Sequence, residues 1–153
     1  MRKFYQVILV LLYSCGLRRN EAVHIDCSDI LFEKQRLYVR KGKNYKERFV
    51  PINHYNLKLL EDYVFDARID FKVASLSDYV FVSRRSTKIS GCTIENDLKM
   101  IIKASNKEAL QNKNITPHML RHSIATHFLK AGMKIEDING FAKRLNKIIA
   151  KAL

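Results

Sequence analysis

Apolar spacing in this chain changes period twice. It is helical up to about residue 24 and again from residue 55, and strand-like between residues 30 and 52. Ile30 to Phe32, Arg36 to Arg40 and Glu47 to Ile52 read as three short strands, with Gly42, Lys43 and Asn44 turning the chain between the last two. Pro51 closes its run, where a missing amide does least harm to a ladder. Short neighbouring strands joined by a tight turn pair antiparallel. The expected fold is therefore mainly α with a small three-stranded antiparallel sheet, and 153 residues with 47% hydrophobic content suit one compact domain.

The helical blocks carry their own punctuation. Residues 3 to 14 are apolar on most sides and lack Gly and Pro, which predicts a largely buried helix ending before Gly16, with a short helical segment from Arg19 to His24 after it. Arg2 and Lys3 ahead of the apolar run Val7 to Leu12, with Ser14, Cys15 and Gly16 behind it, superficially copy a secretory or lipoprotein signal. The run is far shorter than the ~20 residues a bilayer span needs, so a buried helix is expected instead. Leu57, Leu60, Val64 and Ala67 predict a helix over residues 55 to 67, and Ile94, Leu98, Ile101 and Ile102 another from Thr93 to Ala104. Tyr79 to Val82 reads as a short strand or extended passage. The sharpest boundary is Thr116, a good N-cap, followed by Pro117 at the first helical position, with Gly132 stopping the helix after Ala131. A last amphipathic helix is expected over residues 135 to 152.

Charge points to a partner class. Twenty-eight Lys and Arg stand against 15 Asp and Glu, a net +13. Residues 34 to 48 hold seven basic residues and one acidic, residues 113 to 153 eight and two, and residues 53 to 97 six and seven. Two basic segments separated by a near-neutral one suit a positive face for a polyanion. RNA is disfavoured by the lack of an aromatic stacking platform. Three cysteines without a CxxC pair indicate neither a disulfide framework nor a zinc site, and a cytoplasmic location is expected, with no membrane partner.

Three segments can carry chemistry. On the helix from Pro117, Leu120, Ile124, Phe128 and Ala131 form one side, and His118, Arg121, His122 and Ala125 the other. His118 and Arg121, three residues apart, can reach one phosphate near the positive end of the helix dipole. Arg18 lies at a turn, and Glu21 either orients it or pairs with the helix dipole. Lys41, Lys43 and Lys46 crowd the hairpin tip, where one or two can project toward a common partner.

Together, SCGLRRNEA from Ser14 to Ala22, VRKGKNYKERFVPI from Val39 to Ile52 and ITPHMLRHSIATHFLKAG from Ile115 to Gly132 resemble the catalytic domain of the tyrosine recombinases, the phage-integrase family. The resemblance covers about Phe4 to Asn139. It implies the DNA breaking and rejoining fold of that family, with Arg18 and Arg121 as catalytic arginines, His118 as the helix histidine and Glu21 supporting the first arginine. Lys43 matches the hairpin lysine, with Lys41 and Lys46 as alternatives. Arg19, Arg40, Lys41, Lys46 and His122 are expected as further DNA-phosphate contacts. In the family a tyrosine attacks a phosphodiester to give a 3′-phosphotyrosine and a free 5′-hydroxyl. Arginines stabilise the phosphoryl charge, lysine and histidine move protons, and neither metal nor cofactor is implied.

The resemblance fades after about Asn139. GFAKRLNKIIAKAL lacks the family's second histidine, and the seven tyrosines, Tyr5, Tyr13, Tyr38, Tyr45, Tyr55, Tyr63 and Tyr79, all precede Arg121. The expectation is a catalytic domain over residues 1 to 139 without its nucleophile segment, then an atypical basic amphipathic tail over 140 to 153. Such a chain would bind double-stranded DNA, in company with full-length recombinase subunits, without completing cleavage alone. The alternative is a non-catalytic regulator or decoy of recombination.

Overall fold

A computed structural model describes residues 2–40, 46–69, 77–83, 85 and 87–132. The expected turn at Gly42, Lys43 and Asn44, the candidate lysines Lys41 and Lys43, the last helix and the tail over residues 140 to 153 lie outside the described residues.

Helix α1 (Arg2–Leu9) runs on into a π-helical turn, Val10–Ser14, and buries Val7, Ile8, Leu11 and Leu12. The wider π turn closes with the Cys15 amide on the Val10 carbonyl at 2.8 Å. Gly16 follows at φ 58°, the left-handed region that glycine enters without a Cβ clash. Helix α2 (Arg19–Ala22) starts immediately after.

The sheet is as expected, in the order β1 (Ile30–Leu31), β2 (Arg36–Val39), β3 (Arg48–Pro51), antiparallel throughout. Each strand is a residue or more shorter than its apolar run. Leu37 faces Val50, Tyr38 faces Phe49 and Val39 faces Arg48. Leu37, Val39 and Val50 are buried, while Phe49 stands on the opposite, solvent face beside Tyr38. Tyr79 to Val82 forms isolated bridges only, Asp26 with Tyr79 and Val82 with Lys88.

Helix α3 (His54–Asp62), capped by the Asn53 side chain, again extends into a π turn, Tyr63–Ala67. Helix α4 (Gly91–Ala104) buries Ile94 and Leu98, and α1 packs against both α3 and α4. A short helix absent from the sequence reading, α5 (Glu108–Gln111), precedes α6 (Pro117–Lys130). Its four residues bury nothing, so no apolar period marks it. At α6 the expected cap is present: the Thr116 side chain accepts from the Met119 amide, with Pro117 in the first turn.

The buried side of α6 differs from expectation. Arg121, Ile124 and Ala125 are buried, whereas Leu120 and Phe128 are half-buried and Ala131 is exposed. The helix rests on the π turn of α1, and Arg121 turns toward that contact because polar partners await it there.

Candidate active site

Glu21 is the centre of the site. It lies at the third position of α2, and its Oε2 accepts from the Arg18 amide at 2.8 Å, so it satisfies one of the helix's unpaired N-terminal donors. Three guanidinium groups surround it. Arg18 donates from Nη1 to Oε1 at 3.1 Å. Arg48, arriving from β3, makes a fork, Nη1 to Oε1 and Nη2 to Oε2, both at 2.9 Å. Arg121, from α6, places Nη1 3.8 Å from Oε2 and donates the same atom to the Gly16 carbonyl. Glu21 thus accepts both from the backbone at the start of α2 and from the Arg18 side chain.

The cluster is largely out of water: side-chain exposure is 6% for Glu21, 7% for Arg121, 10% for Arg48 and 23% for Arg18. Burial alone would raise the Glu21 carboxyl, but hydrogen bonds from Arg48 and the Arg18 amide, with the charges of both arginines, outweigh it and hold the group below the usual carboxylate range. Three cations around one anion leave a positive excess at a site that Arg18 opens to solvent. That is the electrostatic form of an anion receptor.

The other expected residues are placed differently. His118 is exposed on α6, one turn before Arg121, with its ring edge-on to His122 at 5.8 Å between centroids. Arg19 pairs with Glu95 on α4 and lies across Gly91, where a Cβ would come within 2.8 Å of its Nε. Arg40 is held by Asp29 at 3.0 Å and Asp26 at 2.6 Å. Lys46 is exposed just before β3. Cys15, beside Gly16, is buried, and that burial pushes its thiol up to about 12. Among the described residues, no group of three or more His, Cys, Asp or Glu side chains is placed to hold a metal ion.

Arg48 was not singled out in the sequence, although a signal existed. It shares strand parity with Val50 and Ile52, both buried, and an arginine on a core-facing parity needs a buried anion.

The model of the Phage integrase family matches residues 2–143, nearly the whole chain. The chain belongs to the phage integrase family. This tyrosine-recombinase membership agrees with individual relatives. Tyrosine recombinase XerA of Pyrococcus horikoshii is 36% identical over 133 residues, which are 87% of this chain and 44% of that protein. The crystal structure of XerA recombinase superposes with a TM-score of 0.77 at 31% identity, covering 93% of this chain and 49% of the other. The XerH site-specific recombinase, solved bound to its difH substrate, shares the fold, with a TM-score of 0.72 at 20% identity over 94% of this chain and 40% of its own. The chain thus spans about half the length of the integrase-family proteins it matches.

Proposed function

We propose that this chain is the catalytic-domain portion of a site-specific DNA recombinase, gripping double-stranded DNA and cradling one phosphodiester between Arg18 and Arg121. The observation that carries this reading is the convergence of those two arginines on Glu21, from positions 103 residues apart, in a cluster with excess positive charge. The difH complex of XerH, a protein of the same fold, supports DNA as the anion.

In this reading, Arg18 and Arg121 hold the nonbridging oxygens and stabilise the charge that develops there, while His118, one turn from Arg121, assists proton transfer. The hairpin lysine protonates the 5′-oxygen as it leaves. Lys43 is the residue assigned to it from the sequence pattern, with Lys41 and Lys46 as alternatives, and strand parity favours Lys46. Tyr38 donates to Glu47 at 2.8 Å and its ring lies beside Phe49, so Glu47 and Phe49 share one face and Lys46 falls with Arg48 on the other. Arg19, Arg40, Lys41, Lys46 and His122 are secondary phosphate contacts, of which Arg19 and Arg40 must exchange an acidic partner for DNA.

The nucleophilic tyrosine comes from outside these 153 residues, whether in a longer chain or a partner subunit, because no tyrosine follows Tyr79. Residues 1 to 139 form the catalytic-domain portion and 140 to 153 a basic amphipathic extension. A cytoplasmic location fits DNA as partner, and among the described residues no helix is long and apolar enough to cross a membrane.

The test has two arms, using a duplex selected for binding to this chain from a randomised pool. Log affinity should fall linearly with log salt, by about 0.9 per phosphate contacted, and a nicked suicide form of the duplex should give no covalent adduct with this chain alone. Binding that ignores salt would refute the phosphate grip. An adduct would reveal another nucleophile. Alanine variants of Lys41, Lys43 and Lys46, each joined to a tyrosine-bearing partner segment, would identify the proton donor as the one whose cleavage defect disappears with a 5′-phosphorothiolate leaving group.

A further inference from the structure

We propose that Arg48 is a positioning residue for phosphate binding: its charge compensates Glu21, so that the charges of Arg18 and Arg121 stay directed at a DNA phosphate. The inference rests on the reading of those two arginines as a phosphate clamp.

The geometry carries it. The Arg48 guanidinium meets both Glu21 oxygens, through two parallel bonds of 2.9 Å. Its strand position does not call for a charge. Val50 and Ile52 on the same parity are buried aliphatics, and an aliphatic at position 48 would complete that face without taking a guanidinium out of water. The Nε of Arg48 is also buried with no hydrogen-bond partner among the described residues. Packing therefore tolerates Arg48 at a cost, and what it gains is compensation of Glu21.

Without Arg48, the nearest counter-charges to the carboxylate are Arg18 at 3.1 Å and Arg121 at 3.8 Å. In surroundings this poorly exposed, opposite charges attract far more strongly than in water. Both clamp arginines would then turn their charge inward to Glu21 and offer less of it to a phosphate. Burial raises the Glu21 carboxyl and the Arg48 hydrogen bonds lower it, which agrees with this division of labour. Arg48 also ties β3 to α2.

The experiment compares the full chain with Arg48→Gln, Glu21→Gln and the double variant, measuring affinity for a 30-base-pair duplex against salt, and thermal unfolding in parallel. Charge compensation predicts that the two single variants differ. Arg48→Gln weakens binding and makes the salt slope shallower by about 0.9, the value of one phosphate contact. Glu21→Gln leaves the slope no shallower than wild type, and the double variant, a neutral amide pair, returns it to wild type. Arg48→Lys keeps the charge without the fork and keeps the slope, which covers the case in which Arg48→Gln does not fold. Both single variants lower the unfolding temperature, so a purely structural role would weaken DNA binding in both. That outcome, or a double variant no better than Arg48→Gln, overturns the proposal and leaves the phosphate clamp standing. A wild-type chain that binds no duplex at low salt overturns the clamp and the proposal together.

Discussion

A single carboxylate joins three segments of this protein: α2 with its Arg18 cap, β3 and α6. Glu21→Ala would leave Arg48 and Arg121 buried without their anion, and breaking such a pair costs about 3–5 kcal/mol, of order 10 °C in Tm for a chain of this size. Thermal melts followed by circular dichroism should show that loss. The pH dependence has a definite sign. The Glu21 carboxyl is held below its ordinary value when folded, so its contribution is complete above the unfolded value of about 4.3 and lost as pH falls through the folded one. Urea midpoints should therefore drop on acidification below about pH 4.5, and drop less in Glu21→Gln. Arg18, Glu21 and Arg121 were legible in the sequence because a turn and a capped helix hold them in recognisable strings. Arg48 was not: its partner is 27 residues away, and an arginine in a basic hairpin looks like any other surface charge until its strand parity is set against a buried anion.

Elements position these side chains through their ends. The π turn Val10–Ser14 and the left-handed Gly16 aim a carbonyl at Arg121. Gly16→Ala should cost about 1–2 kcal/mol for the left-handed conformation alone, and more if the carbonyl shifts from Arg121. Thr116→Ala at the start of α6 should cost about 1 kcal/mol through the lost cap while leaving the cluster intact. Urea midpoints measure both, and the salt slope of DNA binding should move only for Gly16→Ala. The limits of α6 were legible because Thr116, Pro117 and Gly132 are local signals. Its buried side was not, since helical spacing groups Arg121 with polar residues, whereas the Gly16 carbonyl and Glu21 make that side the buried one. The π turns and α5 were likewise hidden: a π turn changes the hydrogen-bond partner without changing the residue types, and α5 buries no apolar side chain.

Across the whole molecule, the net charge of +13 works in two directions. Raising salt from 10 mM to 150 mM shortens the screening length from about 30 Å to about 8 Å, which relieves self-repulsion within the fold and weakens attraction to DNA. Tm should rise over that range while duplex affinity falls, and calorimetry beside a binding titration would show the opposed trends. The sequence by itself determined the helical framework, the three-stranded sheet, the bounds of α6 and the family, because periodicity, capping residues and turn residues act over a few positions. Only the tertiary structure decided that Arg121 faces inward, that Arg19 and Arg40 are held by acids, and that Arg48 joins the site. A charge can be buried only where an opposite charge or a carbonyl meets it, and here those partners come from segments 11 to 105 residues away.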